Sequence, residues 1–260
     1  MTSFDPDRAA RALLDLRAAG ARLERLDPPL GPRSEAEGAA AQRALARRLD
    51  ADPPAGFKVG ATARTMQEYL GLGGPAAGFI AASGLHASGG ALRHADFTRP
   101  GVECELAVRL ARDLPPAPCT REQAAEAVGA VMAGIELVEN RYGDLKALGT
   151  PALVADRVFH AAAILGAGVE AWHGLDLAAL PGRMTVDGAP VGEGKGGDLL
   201  GHPLECLAWL AGSEVAAAFG GLRAGQVVML GSVTPPIWLD TPATVSVTFP
   251  PLPEVRLRLA

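Results

Sequence analysis

Residues 101–110 read Gly-Val-Glu-Cys-Glu-Leu-Ala-Val-Arg-Leu. In a strand, successive side chains point to opposite faces. Val102, Cys104, Leu106, Val108 and Leu110 then share an apolar face, and Glu103, Glu105, Ala107 and Arg109 share the other. The two carboxylates lie side by side. Two readings fit this stretch. It is the solvated face of an amphipathic strand, or it offers two oxygen ligands to a hard divalent cation.

A second strand-like run, 129–138, places Glu136 among apolar neighbours on both faces. An isolated buried carboxylate costs several kcal/mol or takes up a proton. Arg141 nearby or a metal ion would compensate it. Glutamates from two strands suit Mg²⁺ or Mn²⁺, which take oxygen ligands and leave positions for water or substrate. Glu139 is the competing ligand, but on the strand reading it faces away from Glu136. In "GFKVG", Lys58 shares a face with Gly56 and Gly60, and glycines let other groups approach closely. Lys58 is either a charge-neutralising or acid/base lysine near an anionic site, or a surface lysine on an edge strand. Of the 24 basic residues only Lys58, Lys146 and Lys195 are lysines, so a lysine stands out against arginine.

Strand-like runs also appear at "GFKVGAT", "GRMTVDGAPV", "GQVVMLGSVT" and "ATVSVTF". They do not alternate with helices as βαβ units, which predicts an α+β domain on a mixed or antiparallel sheet. Helical spacing spans 5–26, with Ala10, Leu13, Leu14, Leu16 and Ala19 in one stripe. A second helix follows a capping box of Ser34 and Glu37 and ends at "DADPPAG". Residues 1–55 thus form a helical N-terminal part and 56–260 the main domain. Further helices are predicted over 121–129, 156–166 with Asp156 as N-cap, and 202–220 with Pro203 in its first turn. The Gly-rich stretch around Lys195 lacks the phosphate-loop spacing and reads as a loop.

A net charge of −5 over 260 residues argues against a general nucleic-acid binder. No basic run marks a membrane surface, and no apolar stretch is long enough for a membrane span. The start carries charges throughout, unlike a signal peptide. Cys104, Cys119 and Cys206 are scattered and odd in number, which fits a reduced, cytoplasmic protein without a disulfide framework or a zinc knuckle.

Seven segments in order, "GFKVGAT", "GLGGPAAGFI", "GVECELAVRLARDLP", "GIELVENRYGD", "LVADRVFHAAAILG", "LLGHPLECLAWLA" and "LRAGQVVMLGSVTPP", resemble the 2-keto-4-pentenoate hydratase / 4-oxalocrotonate decarboxylase family. That family belongs to the fumarylacetoacetate hydrolase superfamily, and the resemblance runs from about residue 10 to 258. It implies a mixed β-roll with a helical N-terminal part. It implies Mg²⁺ or Mn²⁺ held by the E-x-E pair and a later glutamate, which match Glu103, Glu105 and Glu136, and an active-site lysine matching Lys58. Ser232 and Thr234 match a loop near the substrate carboxylate. Capping hydroxyls in a Pro-rich turn are the other reading of that pair.

The activity implied is that of a metal-dependent lyase in aromatic catabolism, hydrating a 2-hydroxy-2,4-dienoate to a 4-hydroxy-2-oxo acid through a metal-stabilised enolate. Decarboxylation of a 2-oxo-enedioate comes next. C–C hydrolysis of an acylpyruvate follows, although no histidine precedes His86 to serve the His–Glu pair such hydrolases use. A non-catalytic partner subunit comes last. The implied partners are a small 2-oxo acid, further copies of the chain in a homo-oligomer, and a related enzyme of the same pathway. The chain departs from the family in two places. "GFIAASGLHASGG" lacks the acidic residue that family hydratases carry after P-x-x-G, and "ADRVF" replaces A-D-N-A-S. His160 reads as a packed or capping histidine on the predicted helix.

Overall fold

The computed structural model describes residues 3–20, 22, 26, 30–144 and 148–260. Residues 21 and 23–25 of the predicted first helix and Lys146 lie outside them. The chain opens with α1 (Pro6–Ala18) and α2 (Glu35–Arg48). Then come β1 (Gly56–Gly60), α3 (Arg64–Leu70), β2 (Ala76–Ile80), β3 (Leu85–Ala87), β4 (Ala91–Leu92), β5 (Pro100–Leu110), α4 (Arg121–Glu126) and β6 (Val128–Glu139). After α5 (Thr150–Ala155) follow β7 (His160–Leu165), β8 (Pro181–Val186), β9 (Ala189–Lys195), α6 (Pro203–Ala211) and α7 (Glu214–Phe219). The chain closes with β10 (Val227–Ser232), β11 (Ile237–Trp238), β12 (Ala243–Thr248) and β13 (Val255–Leu259).

The strands form two sheets. One runs β2-β1-β10-β5-β6-β7-β3 with β11 paired to β5; the other runs β4-β13-β12-β8-β9. β1 is parallel to β10 and antiparallel to β2, so the first sheet is mixed, as expected. β1 is flanked on both sides, which removes the edge-strand reading of Lys58.

Helices cover one face of this sheet. α2 buries Ala39, Ala41, Ala44 and Leu45, and its Gln42 is fully buried. The Gln42 amide donates to the carbonyls of Ala77 and Val154 at 3.1 and 2.6 Å, while its oxygen accepts from the Phe79 amide at 2.8 Å. One side chain thus satisfies backbone groups of both β2 and α5 against α2, which a buried polar group requires. Phe57, Phe79 and Phe219 pack ring to ring beneath, with centroids 5.5 and 5.8 Å apart.

Several local expectations differ from what is seen, among them the single helix over 202–220, which breaks at Gly212 and Ser213 into α6 and α7. Ser34 Oγ accepts from the Glu37 amide at 3.2 Å, but the Glu37 carboxylate returns to the Arg33 amide and guanidinium, so only half of the box closes on Ser34. The helix predicted over 156–166 is the strand β7, because a short apolar run such as "HAAAIL" has no period that separates helix from strand. Asp187 and Gly188, at φ 49° and 81°, split the run 182–191 into the hairpin β8–β9, the turn geometry that Asp-Gly favours. β9 then continues to Lys195, where a loop was expected. Among the described residues no helix is long and apolar enough to cross a membrane.

Candidate metal and active site

The antiparallel register of β5 and β6 sets Glu103 directly opposite Glu136 and Glu105 opposite Gly134. All three carboxylates therefore project from one face. One oxygen from each lies within 4.8 Å of the others. Like charges facing each other across a pair are destabilising, and Glu105 and Glu136 have no solvent exposure. Along the same strands the next positions inward are Ala107 and Met132, which join Met229 and Ile80 in an apolar cluster. The acidic group thus sits on a dry floor.

Each carboxylate is aimed by its own device. In β10 the pairing to β5 slips between Met229 and Ser232. Gly231 at φ 110° turns its amide to donate to Glu105 Oε2 at 3.0 Å. Glu136 Oε1 accepts from His160 Nδ1 at 2.8 Å, and Glu136 Oε2 lies 3.4 Å from Lys58 Nζ. Room for that ammonium comes from Gly60, where a Cβ would stand 2.9 Å from Nζ. Burial holds His160 down to about 4, against the pull of Glu136. The ring is neutral at pH 7 and donates from Nδ1, since an ionised carboxylate only accepts.

The charges do not balance. Burial pushes the Glu103 carboxyl up to about 8, with the Glu136 charge adding to it. Burial and the charges of Glu136 and Glu103 drive Glu105 well above the usual range. Burial opposes ionisation of Glu136 too, but Lys58 and His160 outweigh it and bring that carboxyl to about 2. Three ionised carboxylates and one ammonium sum to −2, which one divalent cation would cancel. Glu105 Oε1 and Glu136 Oε2 are buried without a hydrogen-bond partner among the described residues. An all-oxygen donor set in which Glu105 Oε1 has no hydrogen-bond partner and Glu136 Oε2 has the Lys58 ammonium at 3.4 Å fits a hard cation.

A cavity of about 330 Å³ opens over this group, lined by Lys58 and Glu103 at its floor and by Arg99, Asn140, Phe159 and Trp238 among others. Ser232 and Thr234 do not line it. Ser232 Oγ accepts from the Cys104 amide at 3.1 Å and donates to the Thr234 carbonyl at 2.7 Å. The Thr234 methyl packs where Gly192 lacks a Cβ. Glu139 stands apart, accepting from the Thr98 amide at 2.6 Å and pairing with Arg141 at 3.2 Å.

A second buried carboxylate supports the wall. Asp156 takes Arg17 of α1 at 2.6 Å, the Tyr142 hydroxyl at 2.6 Å, and Arg141. The next three residues, Arg157, Val158 and Phe159, have φ of 62°, 50° and 67°, a strained conformation for a β-branched valine. That turn delivers Val158 and Phe159 to the cavity and His160 to Glu136. Tyr142 meets Phe159 edge-on at 4.8 Å. Reading 156–166 as a helix hid these roles. Arg17 lies 139 residues from Asp156, and no local signal joins them. The roles of Arg99, Asn140 and Trp238 carried no sequence signal.

The chain is similar to known proteins in sequence and in fold. The fumarylacetoacetate (FAA) hydrolase C-terminal family matches residues 59–260. The 2-hydroxyhexa-2,4-dienoate hydratase of Comamonas testosteroni is 34% identical over 183 residues, covering 69% of this chain and 68% of that protein. A 2-keto-4-pentenoate hydratase of Burkholderia vietnamiensis is 31% identical over 212 residues, 81% of this chain and 79% of that one. The solved 4-oxalocrotonate decarboxylase from Pseudomonas putida G7, complexed with magnesium and adipate, superimposes with a TM-score of 0.89 over 98% of this chain and 97% of that one, at 24% identity.

Proposed function

The chain belongs to the fumarylacetoacetate hydrolase family, and from that premise we propose a divalent-metal-dependent hydro-lyase that converts a 2-hydroxy-2,4-dienoate to a 4-hydroxy-2-oxo acid. The observation that carries it is the convergence of Glu103, Glu105 and Glu136 beside Lys58 at the base of a largely apolar cavity. The hydratase names of the related chains support the reaction type.

In this reading Glu103, Glu105 and Glu136 hold Mg²⁺ or Mn²⁺, with the Gly231 amide and His160 orienting two of them. When bound, the metal supplies a Lewis acid beside the substrate's C1 carboxylate and 2-oxygen. Overall, the 2-hydroxyl loses its proton, C3 and C5 each gain one, and C4 gains the hydroxyl, so the elements of one water are added. Lys58 Nζ is the group that moves these protons, and its ammonium offsets the surplus negative charge of the site. The Phe159 and Trp238 rings keep bulk water from the reacting carbons. Decarboxylation uses the same metal and lysine but needs a second carboxylate on the substrate.

The proposal includes a cytoplasmic homo-oligomer in which residues 1–55 buttress the roll. The Arg17–Asp156 pair supports the buttress. The exposed edge strand β9 leaves room for association.

The test is hydration of 2-hydroxypenta-2,4-dienoate, followed by loss of the dienol absorbance. Lys58→Met lowers kcat by roughly 10²–10⁴-fold, the scale of general acid–base catalysis, while Mn²⁺ still binds. Unchanged turnover in that variant contradicts the assignment.

A further inference from the structure

The N-terminal helix reaches the cavity wall by one line of contacts. Arg17 stands in the last turn of α1. Its Nε and Nη2 both donate to Asp156 Oδ1, at 3.0 and 2.6 Å, and Nη2 also donates to the Asp156 carbonyl at 3.3 Å. A planar guanidinium so engaged fixes direction as well as charge. The grip takes both the side chain and the main chain of the residue that enters the strained turn. Asp156 Oδ2 is left to Arg141 and the Tyr142 hydroxyl. Arg22, a few residues beyond α1, repeats the reach by donating to the Tyr142 carbonyl at 3.3 Å.

Tyr142 passes that hold to the cavity. Its ring is buried and stands at 89° to the Phe159 ring, a favourable edge-to-face contact. Phe159 lines the cavity, and its backbone is left-handed, as are those of Arg157 and Val158. Three such residues in a row persist only where the surroundings over-determine them. On one side the seat is Gly78, where a Cβ would stand 2.7 Å from the Arg157 carbonyl. On the other it is the line from Arg17 through Asp156 to Tyr142. His160, the next residue, is held separately: it pairs with Val138 across β6 and β7 and donates to Glu136. Loss of Arg17 therefore frees the Phe159 ring and spares the acidic triad. α1 itself stays docked by its buried Ala9, Ala10 and Leu13.

We propose that Arg17 is a positioning residue for the reaction: through Asp156 and Tyr142 it holds the Phe159 ring over the reacting carbons. The inference rests on the hydro-lyase reading above and carries it outside the roll, to the N-terminal helix. A slack ring lets the dienol turn over without hydration. Its 2-hydroxyl proton leaves, one proton arrives at C3 or C5 from water, and the unhydrated 2-oxo isomer is released with no net change in composition.

The experiment is turnover of 2-hydroxypenta-2,4-dienoate by the full chain with Mn²⁺, on the wild type, Arg17→Met and Arg17→Lys. Nuclear magnetic resonance counts the hydrated product and the unhydrated isomer above the uncatalysed background, and calorimetry gives Mn²⁺ and oxalate affinity. Arg17→Met lowers kcat for hydration roughly 10–100-fold, the scale of a small misplacement caused by a remote change, and raises the isomer's share. Both affinities stay at the wild-type value, and Arg17→Lys restores part of the lost turnover. Unchanged kcat and product ratio in Arg17→Met overturn the inference, as does a parallel loss of Mn²⁺ affinity, which marks general support of the fold. Tyr142→Phe keeps the ring and drops the hydroxyl link to Asp156, so it reproduces the shift in product ratio even where Arg17→Met does not fold; an unchanged ratio there overturns the inference too. A wild type that binds Mn²⁺ but hydrates no dienol sinks the hydro-lyase reading, and the inference falls with it.

Discussion

Two groups of buried carboxylate lie on either side of the strained turn at 157–159, and their surroundings differ. Asp156 has no exposure and is met by Arg17, Arg141 and the Tyr142 hydroxyl. Burial alone would raise its pKa, yet the two guanidiniums and the hydroxyl hold it below the usual value. Glu103, Glu105 and Glu136 share one ammonium and one neutral imidazole, and two of the three are driven upward. A carboxylate that serves the fold brings its counter-ions in the same chain. With all three ionised, the acidic triad is short of two positive charges, a deficit that suits a divalent cation.

The largest expected effect is at the balanced group. Asp156→Ala strands two cations and a phenol in the interior and lowers unfolding free energy by about 3–5 kcal/mol. Denaturant titration gives the same loss with chelator or with Mg²⁺. A loss that appears only with metal would erase the contrast.

Next in size is the pH response of the metal-free protein. Burial and the Glu136 charge push the Glu103 carboxyl up to about 8, above its ordinary value of 4.5. Its stabilising contribution is therefore complete below about pH 4.5 and is lost as pH rises through about 8. Each proton so linked contributes at most about 1.4 kcal/mol per pH unit. Asp156 has the opposite sign: its contribution is present above 3.8, its ordinary value, and is lost as pH falls. In chelator, the denaturation midpoint should fall between pH 5 and 8. With Mg²⁺ that decline should flatten, because the cation takes the protons' place.

The smallest effect is the most diagnostic. Glu105→Gln removes a carboxyl that must take up a proton to be buried without metal, while its amide oxygen can still accept from Gly231. Metal-free stability rises by about 1 kcal/mol, whereas the equivalent change at Asp156 is a loss. A destabilised Glu105→Gln protein in chelator would mean the triad is already balanced.

What the sequence showed and what it hid divide along the same line. The E-x-E pair was legible because a period of two assigns faces without tertiary information, and Glu136 because a carboxylate amid apolar residues needs a partner. Lys58 stood out by its rarity and its flanking glycines. The Asp156 group was illegible because its partners come from residues 17, 141 and 142, brought together only by packing. His160 was hidden because a run of alanines has no period, so its strand was read as a helix. Arg99 and Trp238 meet across β5 and β11, and neither stretch announces the other.

The most direct test of the central claim is a count of bound Mn²⁺ by calorimetry on metal-stripped wild type and on Glu136→Gln. One Mn²⁺ per chain in the wild type, weakened at least about 100-fold in the variant, is the predicted result. No binding in the wild type, or equal binding in both, would contradict the claim that these three carboxylates form one cation site.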